Sequence, residues 1–197
     1  MPGFENVSDE KLFERYRRGE PEALRALIER HHDDLLRFLT RLVGDRSAAE
    51  DVFQEAFLQI HISADTFDSS RKFRPWLFTI AANKGRDYLR KRGRQQSMEV
   101  SAPVGGDGDK PSIVDLMELD FPPPDAALDD EERDRKVQQA LEGLSPTMRE
   151  ILLLAYFQRL TYAQMAEDLQ VPLGTVKSRL HAAVAAFAKR WQALDRS

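Results

Sequence analysis

The sequence contains no cysteine and no long apolar run. The first absence excludes disulfide bonds and thiolate metal sites. The second excludes a transmembrane helix, which needs roughly 18 apolar residues. The acidic and polar N-terminal stretch "MPGFENVSDE" also lacks the apolar core of a signal peptide. We therefore expect a cytoplasmic protein.

Motifs of common enzyme classes are missing as well. There is no glycine-rich phosphate loop, no nucleophile elbow and no "HExxH". The stretch "HHDD" at residues 31–34 could suggest a metal site, but adjacent histidines on a helix point about 100° apart, and the sequence offers no second ligand cluster. We predict no metal, no cofactor and no catalytic residue, and hence a protein that is not an enzyme.

Charge is distributed unevenly along the 197 residues, although the formal net charge is only -4. Residues 97–132 contain eleven acids, one base (Lys110) and five prolines, with few large apolar side chains. Such a segment cannot bury enough surface to fold alone, and it is typical of a flexible linker. The rest of the chain holds 28 basic and 22 acidic residues. The folded parts are therefore cationic, which suits a polyanionic partner.

Helical signals lie on both sides of this linker, and no strand alternation is present. Ser8 is placed as an N-cap, Gly44 as a helix end, and Ser47 with Glu50 as a capping box. A later helix is predicted to start near Pro75. We predict an all-α protein with two small helical domains, at residues 8–95 and 133–195, joined by the acidic linker at 96–132.

The C-terminal domain carries the spacing of a helix-turn-helix. A short helix begins at Thr161, the turn "QVPLG" follows, and a second helix starts near Thr175. In this motif the start of the second helix enters the DNA major groove, and its polar and cationic side chains are crowded there. The predicted DNA contacts are Thr161, Pro172, Thr175, Lys177, Ser178, Arg179 and His181. The alternative is an ordinary helical hairpin with a solvated cationic face.

Three stretches together resemble the extracytoplasmic-function (ECF) group of bacterial sigma factors: "AEDVFQEAF", "FRPWLFTIAANK" and "GTVKSRLH". The resemblance covers nearly the whole chain in the expected order. It implies a subunit that directs core RNA polymerase to promoters and assists DNA melting, with the helix-turn-helix reading the -35 element. It also implies contact with the β′ coiled coil and the β flap of the polymerase, and an anti-sigma protein as a further partner.

The same resemblance assigns roles within the N-terminal domain. It implies that the -10 element is contacted by Phe67, Asn83, Lys84, Arg86, Arg90, Lys91, Arg92 and Arg94. It implies that core polymerase is contacted by Asp51, Val52, Phe53, Gln54, Glu55 and Phe57. From the residues alone, Phe67 could instead be a core residue, and Trp76 fits the core better than a base contact. The stretch "AEDVFQEAF" could be a plain amphipathic helix with its acids in water.

Two segments depart from the family pattern. Asp68 and Ser69 follow Phe67 where the family often has arginine and glycine, so an acid lies in the loop expected to face DNA. Gln170 stands where the turn commonly has glycine, and a positive φ there would cost about 1 kcal/mol.

Two rival functions follow from the same features. A conventional DNA-binding regulator would use the helix-turn-helix without polymerase, although no dimerisation seam is evident. A protein-interaction module that mimics a sigma factor would bind no DNA.

Overall fold

The computed structural model describes residues 4–96, 131–158 and 160–195. We call residues 4–96 the N-terminal lobe and the remaining described residues the C-terminal lobe. All regular elements in these residues are helical, which confirms the all-α class. The predicted linker, apart from Gln96, Glu131 and Glu132, lies outside the described residues.

The N-terminal lobe contains four α-helices and one short 3-10 turn. They are α1 (Asp9–Arg17), α2 (Pro21–Val43), α3 (Arg46–Ile62), the 3-10 turn (Ala64–Thr66) and α4 (Phe73–Gln96). Helix α2 packs against α1, α3 and α4. Their buried side chains form one apolar core with fully buried Leu27, Leu35 and Phe38.

The C-terminal lobe contains four more helices. They are α5 (Glu131–Glu142), α6 (Pro146–Gln158), α7 (Tyr162–Leu169) and α8 (Leu173–Asp195). Helix α8 packs against the other three, and its Val184 and Phe187 are buried while Phe187 stacks on Trp191 with ring centroids 6.2 Å apart. The alanine-rich tail of α8 therefore packs back onto its own lobe.

Helix ends follow the cap chemistry closely, with one error in the prediction. Ser8 accepts a hydrogen bond from the Lys11 N–H, and Gly44 ends α2 with a φ of 81°. The predicted cap at Ser47 is wrong, because Asp45 accepts from the Ala48 N–H at 2.7 Å and starts α3 two residues earlier. A carboxylate also interacts favourably with the positive end of the helix dipole.

Three other helices begin two residues earlier than expected. Helix α4 starts at Phe73 rather than Pro75, so Pro75 is its third residue. Proline is tolerated there because the first-turn N–H groups have no partner within the helix. Helix α8 starts at Leu173 rather than Thr175, and α5 starts at Glu131 rather than 133. Acids at the start of α5 favour helix formation there.

The two lobes pack against each other through α6, which lies on α2 and α4. The Phe157 ring of α6 contacts Phe38 and Phe78, with centroid distances of 5.7 Å and 6.3 Å. Gly85 allows α4 to lie close to α2, since a Cβ atom there would come within 2.7 Å of Leu42 Cδ2. We call the contact of α6 and α7 with the N-terminal lobe the interlobe interface.

Candidate nucleic-acid interface

The helix-turn-helix consists of α7, the turn at residues 170–172 and the start of α8. A full capping box begins α7: Thr161 Oγ1 accepts from the Gln164 N–H, and Gln164 Oε1 accepts from the Thr161 N–H at 2.9 Å. Gln170 has a φ of 53°, the left-handed value that glycine favours. The sequence analysis expected backbone strain at Gln170 if its φ was positive, and the φ is positive.

The start of α8 presents cations to solvent. Lys177, Ser178 and Arg179 are exposed, while Val176 and Leu180 on the opposite side are buried. Lys177 Nζ lies 6.0 Å from the centre of the Tyr162 ring, at the outer limit of a cation–π contact. The free N–H groups at this helix end also favour phosphate. Lys177, Ser178 and Arg179 thus share one accessible surface.

The remaining members of the predicted -35 set differ in exposure. Thr161 and Pro172 are exposed, and Thr175 and His181 are half-buried. The Ser178 hydroxyl donates to the Thr175 carbonyl at 3.2 Å, which leaves its oxygen as an acceptor. Of the five residues other than the two cations, Thr161 caps α7, Pro172 lies in the turn, and the other three lie in the first turns of α8.

The predicted -10 residues of α4 form a mostly exposed cationic stripe. Asn83, Arg90, Lys91 and Arg92 are exposed, and Lys84 is half-buried. Arg90 pairs with Asp87 at 2.8 Å on the same helix. Arg94 belongs to the last part of α4, and its side chain is outside the described residues. Arg86 instead pairs with Glu150 of α6: its Nε lies 3.1 Å from Glu150 Oε2, and its Nη2 contacts Glu150 Oε1.

Phe67 lies in the core of the N-terminal lobe rather than on its surface. Its side chain is 5% exposed, and its ring packs 4.7 Å from Trp76 and 5.2 Å from Phe13. Trp76 is half-buried in the same aromatic cluster. The Phe67 ring is therefore not accessible for stacking on a base in this conformation. The exposed residues of the loop, 68–72, are the part that can reach a base.

Asp68, the acid in this loop, is ionised and is hydrogen-bonded within the loop. Asp68 accepts a hydrogen bond from the Ser70 N–H at 2.9 Å, which lowers the pKa of the carboxyl. It therefore repels phosphate at neutral pH. The neighbouring cation Arg71 is exposed and lies against Glu167 of α7.

The predicted polymerase-binding segment divides into two faces of α3. Asp51, Gln54 and Glu55 are exposed, whereas Val52 and Phe57 are core and Phe53 is half-buried. Only the first three, with part of Phe53, can reach a partner in this conformation. Val52 and Phe57 pack in the core beneath this face and do not reach the surface.

The sequence analysis did not identify two exposed apolar residues of the same helix as candidate contacts. Leu58 and Ile62 are 59% and 68% exposed. They follow Gln54 at intervals of four, and this helical spacing placed them on the exposed face. Read singly, each resembles an ordinary core residue.

The "HHDD" stretch is structural. His31 is buried and its Nε2 lies 2.8 Å from Asp9 Oδ2, while His32 is exposed and pairs with Asp33. The two imidazoles point to different environments, as the helical spacing predicts.

In the described residues, the fold and the cationic surfaces together indicate a helical DNA-binding protein with two lobes and a helix-turn-helix. Family comparison agrees: residues 27–95 match sigma-70 region 2, and residues 134–187 match sigma-70 region 4. The chain belongs to the sigma-70 family, in its ECF group, and it functions as an ECF RNA polymerase sigma factor in transcription initiation.

Relatives of similar length support this assignment. The RNA polymerase sigma-H factor of Pseudomonas aeruginosa is 31% identical over 188 residues, which cover 95% of this chain and 96% of the relative. The ECF RNA polymerase sigma-E factor of Escherichia coli is 30% identical over 195 residues, covering 98% of each. The ECF sigma factor SigW of Bacillus subtilis is 29% identical over 180 residues, covering 91% and 95%.

Two solved structures share the fold. CnrH, in complex with the cytosolic domain of CnrY, has a TM-score of 0.64 at 22% identity and covers 94% of this chain and 97% of that one. The sigma factor RpoE of Bartonella quintana, in complex with the anti-sigma factor NepR, has a TM-score of 0.60 at 24% identity, covering 88% and 96%.

Across the described residues, no helix combines the length and apolar character needed to cross a bilayer.

Proposed function

We propose that this sigma factor reads the -35 element with the start of α8 and engages the -10 element with α4 and the loop at 68–72. The observation that carries the first assignment is the exposure of Lys177 and Arg179 at a helix start directly after a helix-turn-helix turn. Cations and free N–H groups at this point match guanine edges and phosphates.

The -10 assignment rests on the second cationic surface. Exposed Asn83 supplies both a donor and an acceptor for a base edge, and Lys91 and Arg92 supply phosphate contacts. The burial of Phe67 changes one part of the expectation. Its ring packs in the core beneath the loop, and the loop residues and Asn83 are the proposed base contacts instead.

Core polymerase is proposed to dock on the exposed face of α3. Asp51 and Glu55 place carboxylates beside the apolar Leu58 and Ile62. Carboxylates next to apolar anchors suit a helical partner with basic residues, such as the β′ coiled coil. The β flap is proposed to bind the C-terminal lobe.

An anti-sigma protein is a further proposed partner, since the related RpoE of Bartonella quintana was solved with one. We also propose that the chain catalyses no reaction itself and acts in the cytoplasm, where polymerase and promoters are found. The sigma-factor relatives support both points.

Run-off transcription tests the proposed function. Purified core polymerase with this chain is given a promoter library, and start sites are sequenced. We expect defined start sites with shared upstream elements, and their loss when Lys177 and Arg179 are both replaced by alanine. Sequence-specific duplex binding without any start site would instead indicate a conventional regulator.

The polymerase surface is tested separately by Asp51→Arg with Glu55→Arg. Charge reversal on the α3 face is expected to weaken binding to core polymerase about tenfold or more. Glu29→Arg, an exposed site on α2, is the control. Equal effects at both places would contradict the assignment.

A further inference from the structure

Tyr162 of α7 and Lys177 of α8 meet across the turn of the helix-turn-helix. The Lys177 ammonium lies 6.0 Å from the centre of the Tyr162 ring. At this distance a cation is still attracted electrostatically to the face of an aromatic ring. Lys177 is one of the two exposed cations assigned to the -35 element, whereas Tyr162 is not among the predicted DNA contacts.

The Tyr162 ring is held in place from two sides. Tyr162 is the first residue of α7 and directly follows Thr161, whose capping box with Gln164 fixes the backbone of this helix start. The Tyr162 side chain is half-buried and packs against buried apolar side chains. Because a tyrosine has only two χ angles, the ring retains little freedom in this position.

The turn between the two helices brings Lys177 to this ring. The Val171 N–H donates to the Ala166 carbonyl at 3.0 Å and ties the turn to the end of α7. Val176, the neighbour of Lys177, is fully buried and determines which side of α8 faces the lobe. The approach of the Lys177 side chain to the Tyr162 ring therefore follows from a fixed backbone.

The contact leaves the charge of Lys177 available to DNA. Among the described residues, no ion pair involves Lys177, although its side chain is exposed. A carboxylate partner would have to be released before a phosphate could bind. A ring attracts the ammonium without neutralising it, and the ammonium has three N–H donors to offer to phosphate or base oxygens.

Restraint of a lysine before binding favours its contact with DNA. A lysine side chain has much rotamer freedom, and fixing it on a ligand costs conformational entropy. Part of this cost is removed when the ammonium is already held near its binding position. Arg179 lies about 200° further round α8, and among the described residues no aromatic ring lies under its guanidinium. It is therefore the natural internal control.

We propose that Tyr162 is a positioning residue of the -35 surface, whose ring holds the Lys177 ammonium in place before DNA arrives. This inference rests on the proposed role of Lys177 in promoter binding. The ring acts through Lys177 and not by touching DNA, and it does not position Arg179. The capping box of α7 thereby contributes to DNA binding at the start of α8.

The first test measures the mobility of lysine side chains in the full chain without DNA, by NMR relaxation at Cε. We expect Lys177 to be more restricted than Lys189, an exposed lysine of the same helix, in the wild type and in Tyr162→Phe. In Tyr162→Leu the mobility of Lys177 should rise to that of Lys189. Equal mobility of the two lysines in the wild type would overturn the proposal.

The second test measures transcription by core polymerase carrying the full chain, on a promoter fragment found by the run-off experiment. Tyr162→Leu should raise the promoter concentration at half-maximal rate about two- to fivefold. The rate at saturating promoter should not change, because positioning of Lys177 acts on binding. Tyr162→Phe keeps the ring and should behave like the wild type. An equal loss in Tyr162→Phe would overturn the proposal, since the hydroxyl and not the ring would be responsible.

A double-mutant cycle separates positioning from a general loss of structure. In a Lys177→Met background, Tyr162→Leu should have little further effect, because the cation that the ring holds is gone. In an Arg179→Met background, the full effect of Tyr162→Leu should remain. A folding defect would persist in both backgrounds. Equal effects of Tyr162→Leu in the wild type and in Lys177→Met would therefore overturn the proposal.

Failure of this inference and failure of the proposed function are distinguishable. The mobility measurement uses neither DNA nor polymerase, and run-off transcription judges the promoter function of the wild type directly. A restrained Lys177 in a chain that gives no start sites would sink only the proposed function. Defined start sites together with a freely moving Lys177 would sink only the positioning role of Tyr162.

Discussion

The Arg149 guanidinium donates a hydrogen bond from Nη1 to the backbone carbonyl of Leu42 at 3.0 Å. It also donates to the carbonyls of Leu141 and Glu142, at 3.0 Å and 3.1 Å. A single buried cation therefore meets the C-terminal ends of α2 and α5, where carbonyls lack helical partners and the helix dipole favours positive charge.

We expect Arg149→Met to lower the free energy of unfolding by about 2–4 kcal/mol, because three carbonyls would lose a charged donor at a buried site. Urea denaturation measures the change. Arg135→Met, at an exposed site on α5, should stay within about 0.5 kcal/mol of the wild type. Similar losses for the two variants would show that Arg149 does not cap these helices.

Salt dependence tests the start of α8 as a phosphate-binding surface. Each phosphate contact removed should reduce the slope of log affinity against log salt by about 0.9 for duplex DNA. Lys177→Ala with Arg179→Ala is therefore expected to reduce it by up to about 1.8. Lys189→Ala, about three turns away and exposed on the same helix, should leave the slope unchanged, and a matching decrease there would refute the assignment.

The pH dependence of stability should reveal the contact of α1 with α2. Burial works to raise the pKa of Asp9, but hydrogen bonds and charge from His31 and Arg30 outweigh it, and the net pKa is lowered from 3.8. A lowered pKa stabilises the folded state above pH 3.8, and this stabilisation is lost as the pH falls through the folded value.

Asp9→Asn should therefore cost about 1.5–3 kcal/mol at neutral pH, where hydrogen bonds to a charged group are lost. The difference from the wild type should shrink only below about pH 4. Unfolding curves at several pH values measure it. A difference that disappears above pH 5 would mean that the pKa is raised instead.

Two glycines of α4 make a matched pair for core packing. Replacing either with alanine gains up to about 1 kcal/mol of helix propensity. At Gly93 no atom lies within 4 Å of the new Cβ, so we expect this gain to appear in full.

At Gly85 the Cβ would overlap Leu42 Cδ2, which is 1% exposed and has little room to move. Overpacking of this kind costs about 1–3 kcal/mol. Gly85→Ala should therefore be less stable than Gly93→Ala by about that amount in thermal or urea unfolding. Equal stabilities would show that α2 and α4 adjust without cost.

Gln170→Gly should stabilise the helix-turn-helix by about 0.5–1 kcal/mol, because it relieves a left-handed backbone. The opposite sign is expected for Ala163→Gly, at an exposed helical position of α7, where glycine costs about 0.5–1 kcal/mol. Unfolding of the full chain measures both. Destabilisation by both variants would mean that the turn carries no strain.

Much of the fold could be predicted from local chemistry. The caps at Ser8 and Thr161 and the left-handed Gly44 are set by side chains within a few residues, which the sequence displays directly. The exposed cations of α8 were likewise predictable, because helical spacing separates them from buried Val176 and Leu180.

Contacts between distant segments could not be predicted in the same way. Phe67 and Phe13 are far apart in sequence, and only packing shows that their rings meet in one aromatic cluster. Glu150 looks like an ordinary surface acid until α6 is placed on α4. The cap of α3 was missed for a different reason, since Asp45 and Ser47 are both good N-caps and only the observed hydrogen bond selects between them.

The positions of the two tryptophans have a consequence for fluorescence measurements. The chain has two tryptophans, and Trp76 packs beside Phe67 while Trp191 stacks on Phe187 in the other lobe. Each lobe therefore contains its own intrinsic fluorophore. Replacing one indole with phenylalanine leaves an emission signal that reports on melting of a single half of the molecule.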